Sequence, residues 1–232
     1  MENDPVDIAV GAADTSVSGL LVQPADARCL LVLGHGAGAG MRHPFMAGIS
    51  ERLAAEGIAS LRYQFPYMEA GRRRPDRRDV LVATVRAAVE VGAREAPDLP
   101  LLAGGKSMGG RMTSLAASER ALPGVQGLVF FGFPLHPAGR PSIERAAHLD
   151  AVRLPMLFLA GERDRLAELE LLRPVCADLG PRAKLHVVAG ADHGFHVLKR
   201  SGRTDDEVLG ELAEITGRWA EGAGSNRSTI SS

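Results

Sequence analysis

The sequence has only two cysteines in 232 residues, no excess of either charge and no apolar run long enough to cross a bilayer. Each shortage removes a class of protein. Cys29 falls in an apolar strand pattern and Cys176 on an amphipathic helical stripe, so both read as small reduced hydrophobes rather than a bridge, and a cytoplasmic location is expected. Lys and Arg number 27 against 28 Asp and Glu, a formal net charge of −1 that supplies no global field for nucleic acid or an acidic membrane surface. A span needs roughly 18 consecutive apolar residues, and the acidic start Met1-Glu2-Asn3-Asp4-Pro5 has neither the basic nor the apolar region of a signal peptide. Neither export nor a membrane anchor is expected. The histidines lack the i, i+4 spacing with a carboxylate that a metal centre uses, so no metal is expected.

Internal repeats and linkers are also missing, and the length suits one α/β domain with a sizeable core, placed at residues 1–220 with a solvated tail at 221–232. Within it, short apolar runs alternate with helix-period segments, which predicts a mostly parallel sheet of about eight strands flanked by helices. Val6–Val10 and Ser16–Val22 read as an antiparallel hairpin split by Gly11-Ala12-Ala13-Asp14. Strands follow at Cys29–Leu33, Ile58–Tyr63, Leu101–Gly105, Val125–Phe133, Leu154–Gly161 and Lys184–Ala189. The intervening helices are marked by Phe45, Ile49 and Leu53, by Leu81, Val85 and Val89, and by Leu166, Leu169, Leu172, Val175 and Leu179, with a last one through Val208, Leu212, Ile215 and Trp219. Between Phe133 and Leu154 there is room for one short helix near Ser142–Leu149 and for no substantial lid.

Against that pattern, Gly105-Lys106-Ser107-Met108-Gly109 turns a strand into a helix through G-x-S-x-G, the arrangement of a nucleophile elbow. The glycines are required because Ser107 must sit on a strained turn where a neighbouring Cβ would strike backbone. A serine hydroxyl needs a base to take its proton, and the base needs a carboxylate to orient it. Asp164 follows one late strand and His193 the next, in the order such an elbow demands. Glu162 is the competing acid and His196 the fallback base; Asp164 could also simply cap the helix expected near Arg165. Negative charge on the attacked carbonyl oxygen needs preorganised N–H donors, and the loop Gly34-His35-Gly36-Ala37-Gly38-Ala39-Gly40 stands where they belong. The Ala37 and Met108 amides are the expected pair. Phosphate binding is the poorer account of this loop, since G-x-x-x-x-G-K-[ST] is absent and Arg62-Tyr63-Gln64 stand where an acidic ribose ligand would be. No cofactor is expected.

The ordered set of His35-Gly36, Ser107 in its elbow, Asp164 and His193 resembles the α/β-hydrolase superfamily over residues 28–220. Gly104-Gly105-Lys106-Ser107-Met108-Gly109-Gly110-Arg111, Phe65-Pro66-Tyr67-Met68-Glu69 with Arg73-Arg74-Pro75-Asp76, and Gly132-Phe133-Pro134-Leu135-His136-Pro137 are similar to a small family of lidless bacterial hydrolases. That family is itself similar to a vertebrate testis-expressed hydrolase-like protein and to a scaffold subunit of a histone acetyltransferase complex. Dienelactone-hydrolase-like enzymes are more distant, and where their namesakes use Cys this chain has Ser107. The resemblance implies an α/β-hydrolase fold and a serine triad, without a substrate.

His35, Tyr67, Arg73 and His136 are the candidate contacts to substrate. For His35, bracing the glycine-rich loop is the favoured alternative. Tyr67 and Arg72–Arg74 lie on a loop that either rims the cleft and attracts an anionic substrate or forms a solvated arginine face. His136 either touches substrate or makes a structural hydrogen bond. The expected function is hydrolysis of a small ester or thioester, a small-molecule acyl substrate, through an acyl-enzyme. A binding module of the same fold with little turnover is the alternative, and peptidase or acyltransferase chemistry also remains open because the acceptor depends on the cleft. Oligomeric state is not legible.

Overall fold

The computed structural model describes residues 3–10 and 15–224. Eight strands form one sheet in the order β1-β2-β4-β3-β5-β6-β7-β8: β1 (Asp4–Ala9), β2 (Ser16–Val22), β3 (Cys29–Gly34), β4 (Ile58–Tyr63), β5 (Leu101–Lys106), β6 (Val125–Phe131), β7 (Met156–Gly161) and β8 (Ala183–Val188). β2 runs antiparallel to β1 and β4, and from β4 through β8 every pairing is parallel. A parallel sheet must be covered on both faces, which is why β3, β4 and β7 are buried along their whole length. Pro5 sits in β1 at one edge of the sheet, where its missing N–H leaves no ladder bond unmade.

Alternation along the strands divides the core. Leu31 and Leu33 of β3, Val129 and Phe131 of β6 and Leu157 and Leu159 of β7 face α1 (Pro44–Ala55) and α6 (Asp205–Gly224), meeting Ile49, Leu53, Val208 and Leu212. Leu30, Val32, Phe130 and Phe158 face the other way, against the layer formed by α3 (Arg78–Glu95), α4 (Met108–Glu119) and α5 (Leu169–Asp178). Each fully buried leucine removes enough apolar surface from water to contribute about 2 kcal/mol. A one-turn helix α2 (Pro66–Glu69) and a 3-10 helix over Glu144–Ala151 complete the frame around the carboxyl ends of the strands. Among the described residues, no helix is long and apolar enough to cross a membrane.

Several boundaries differ from the sequence reading, each for a local reason. β6 stops at Phe131 instead of Phe133 because Gly132 takes a positive φ of 70° and turns the chain out of the ladder. α5 begins at Leu169, not Leu166: the Leu166 N–H is taken by the Asp164 side chain, and its carbonyl accepts the N–H groups of Leu135 and His136. The segment between β6 and β7 is a 3-10 helix with loops, so nothing there closes over the sheet edge. α6 continues to Gly224, past the expected start of the tail at Glu221, and the Glu221 carboxylate pairs with Arg28. The rest of that tail, like the hairpin turn at 11–14, lies outside the described residues.

Candidate active site

Ser107 links the carboxyl end of β5 to the first turn of α4 with φ 50° and ψ −112°. A non-glycine residue held there costs about 1–3 kcal/mol, which the packing around it must sustain. The flanking glycines make the turn feasible. A Cβ at Gly105 would lie 2.7 Å from the Gly109 carbonyl carbon and the Gly110 nitrogen, and one at Gly109 would lie 2.8 Å from the His35 carbonyl oxygen.

Asp164 leaves β7 and His193 leaves β8, and parallel pairing of these strands carries both to the edge where Ser107 stands. His193 Nε2 lies 2.9 Å from Ser107 Oγ, and His193 Nδ1 lies 2.8 Å from Asp164 Oδ2. An ionised carboxylate only accepts, so the imidazole carries its hydrogen on Nδ1 and turns the Nε2 lone pair toward the serine hydroxyl. The Asp164 side chain is fully buried, whereas that of His193 is 23% exposed. The carboxylate is sheltered and the imidazole is reachable. Glu162, the competing acid, instead accepts the Gly190 N–H at 2.7 Å, and His196 pairs with Asp205 on the surface, which raises its pKa above the ordinary value.

The glycine-rich loop crosses next to the serine: a Cβ on Gly36 would sit 3.8 Å from Ser107 Cβ. Ala37 follows, exposed, and Met108 heads α4, where an N–H has no partner within its own helix. The structure therefore brings both expected amide donors to the same edge as the serine.

His35 takes the bracing place favoured for it in the sequence, whereas Tyr67, a candidate contact to substrate, is buried beneath the same loop. His35 is buried, donates from Nδ1 to the Gly36 carbonyl at 2.8 Å and accepts the Phe65 N–H on Nε2 at 3.1 Å. Burial pushes its pKa down to about 4, so it is a neutral brace. Tyr67 is also buried, donating its hydroxyl to the Ala37 carbonyl at 2.8 Å, and burial pushes the phenol up to about 12. Both rings are held by Phe65, edge-on to His35 at 4.9 Å and stacked on Tyr67 at 6.5 Å. They support the loop from beneath. His136 is buried as well, with Nδ1 at 2.9 Å from the Pro137 carbonyl and Nε2 on the Glu168 carboxylate, so both nitrogens are spent within the protein. Arg73 is exposed on the loop between α2 and α3, beside the Arg72–Asp76 ion pair at 2.6 Å.

Sequence reasoning gave no role to Lys106, which donates from Nζ to the His193 carbonyl at 2.6 Å. Its only signal is a cation in an otherwise small and apolar run. On the outer side of His193 lies an open cleft of about 870 Å³ with Glu162, Arg163, Arg165, Glu168, Glu170 and Asp192 on its walls.

The sequence pattern of the alpha/beta hydrolase domain family matches residues 27–221. An alpha-beta serine hydrolase homologue from Coxiella burnetii superimposes with a TM-score of 0.74 at 18% identity, covering 94% of this chain and 97% of its own. Dienelactone hydrolase from Anabaena variabilis gives 0.72 at 21% identity over 94% and 97%. A serine hydrolase without a lid from Xanthomonas campestris gives 0.71 at 20% identity over 94% and 95%. At these identities the likeness is one of fold, and it extends over nearly the whole chain. With a pattern match over most of its length, a mostly parallel eight-stranded sheet and no lid, the chain belongs to the alpha/beta hydrolase family.

Proposed function

We propose that the protein is a serine hydrolase that cleaves a small ester or thioester through an acyl-enzyme. The observation that carries this reading is the continuous hydrogen-bonded line from Asp164 through His193 to Ser107, at 2.8 and 2.9 Å. Ser107 Oγ attacks the substrate carbonyl carbon while His193 Nε2 takes the hydroxyl proton. The carbonyl π electrons move to oxygen, and the Met108 and Ala37 N–H groups stabilise that oxyanion. Collapse restores the carbonyl, breaks the bond to the leaving oxygen or sulfur, and returns the proton from His193 to that atom. Water then repeats the sequence on the acyl-Ser107 ester and releases the acid. Asp164 stays ionised throughout, fixing the Nδ1–H tautomer and stabilising the imidazolium.

Esterase and serine-hydrolase names among the structural neighbours are compatible with this chemistry. Short acyl groups suit a site with no lid, because a long chain would remain in water and give no binding energy to the transition state. A panel of aryl esters and acyl thioesters of graded chain length, run with wild type and Ser107→Ala, tests the proposal. Turnover of short esters that disappears in Ser107→Ala is the expected result. A folded wild type with no turnover on any member points to the binding module instead.

A further inference from the structure

We propose that Lys106 is a positioning residue for this hydrolysis, a strut that holds His193 over Ser107 through the His193 backbone carbonyl; the inference rests on the serine-hydrolase reading above. Lys106 immediately precedes Ser107 at the end of β5, so the strut starts one residue from the nucleophile and ends on the main chain of the base. The Nζ to carbonyl distance is 2.6 Å, at the short limit for an N–H donor, and charge on the donor strengthens such a bond. The ammonium lies 5.6 Å from the Phe45 ring centroid and 5.3 Å from that of Phe195, two rings that stack on each other. Gly132 opens the passage: a Cβ there would stand 3.1 Å from Nζ and 3.3 Å from His193 Cε1.

An apolar side chain of equal length would fill the same passage without desolvating an ammonium, so packing alone does not account for a lysine here. What the lysine adds is a donor aimed at one carbonyl. The surroundings keep it charged near neutral pH at some expense. α1 presents the Phe45 ring, the turn after β6 presents Gly132, and the loops after β7 and β8 present the Asp164 and Asp192 carboxylates and His193 itself, with Asp192 also 4.0 Å from Arg163. Burial outweighs the two carboxylates and brings the ammonium down to about 8. Above that pH the donor becomes a neutral amine, the bond loses its charge assistance and the ring contacts lose their cation. The His193 backbone is then held less firmly, and misplacement of a base by a fraction of an ångström slows chemistry without weakening substrate binding.

The test is the rate of Ser107 modification by a fluorophosphonate, with kcat and KM on a short ester, from pH 6 to 10 for wild type, Lys106→Met and Lys106→Arg. Wild type should lose reactivity above about pH 8. Lys106→Met should react at least about tenfold more slowly at pH 7, with KM within about twofold and no alkaline fall. Lys106→Arg keeps a donor that does not titrate, so it should recover part of the rate and also lack the fall. A Lys106→Met protein as fast as wild type, or one that is slow yet keeps the alkaline fall, overturns the assignment. Should Lys106→Met not fold, a wild-type profile flat to pH 10, or a fall unchanged in Lys106→Arg, overturns it equally. A folded wild type that neither labels nor turns over fails at the serine-hydrolase reading and takes the strut with it, whereas labelling that depends on Ser107 but not on Lys106 removes the strut alone.

Discussion

Asp164 divides its two oxygens between the imidazole and its own chain: Oδ2 meets His193 Nδ1 at 2.8 Å and Oδ1 accepts the Leu166 N–H at 2.8 Å. The Leu166 carbonyl in turn accepts the N–H groups of Leu135 at 2.8 Å and His136 at 3.3 Å. The turn after β7 is thereby laced to the loop after β6, and the Asp164 carboxylate is fixed from two sides. No helix begins near Arg165 for Asp164 to cap: α5 starts at Leu169, and the bond to the Leu166 N–H closes a turn ahead of it.

Replacing Asp164 with Asn should therefore lower kcat by about 10³–10⁴-fold, since the amide keeps the packing but favours the wrong tautomer and gives the imidazolium no counter-charge. Glu162→Gln should stay within a few-fold of wild type, because Glu162 bonds only the Gly190 N–H among its described partners. Steady-state kinetics on a short ester decide between them, and the opposite ranking would move the acid's role to Glu162.

Tyr67 holds the loop that carries Ala37 by a single hydroxyl bond to its carbonyl. Tyr67→Phe keeps the ring and removes the bond, so kcat should fall by roughly three- to tenfold with KM nearly unchanged, in line with about 1 kcal/mol for one hydrogen bond. An unchanged kcat would show that the loop is set by His35 and Phe65 alone.

His35 links stability to pH. Its folded pKa, about 4, lies below the ordinary value of 6.5, so on acidification the unfolded chain takes up the proton first. The contribution is intact above pH 6.5 and is lost as pH falls from 6.5 to 4, up to about 3 kcal/mol. His35→Gln retains a donor and an acceptor but does not titrate. Urea midpoints of the two proteins should converge as pH drops through this window; parallel curves would contradict the assignment.

Acyl length should matter little beyond a short chain. Between β6 and β7 the chain forms only loops and a 3-10 helix over Glu144–Ala151, too little to make a substantial lid. kcat/KM should stop rising near butyryl esters, and a steep climb to long chains would mean that an apolar surface outside this edge takes part.

The fold was legible because a buried parallel sheet writes itself as separated apolar runs: the boundaries expected for β2 and β4 are those observed. That Ser107, Asp164 and His193 meet at one edge was legible because topology dictates the order of these loops along the chain. What escaped was decided by hydrogen bonds that sequence spacing does not encode. Leu166 fits the apolar stripe of α5 but lends its backbone to Asp164 and His136. Tyr67 lies at the carboxyl edge of the sheet, the usual place for substrate contacts, yet turns inward to the Ala37 carbonyl, whereas His35 and His136 make the inward hydrogen bonds already weighed for them in the sequence. Lys106 was passed over because its partner is a main-chain carbonyl 87 positions away.

The central claim is that Ser107 is activated by His193. Intact-protein mass after exposure to a fluorophosphonate at pH 7.5 tests it most directly. The account predicts one adduct per chain on wild type, mapped to Ser107, and none on folded Ser107→Ala or His193→Ala. A folded wild type without the adduct, or an adduct that persists in His193→Ala at the wild-type rate, would contradict it.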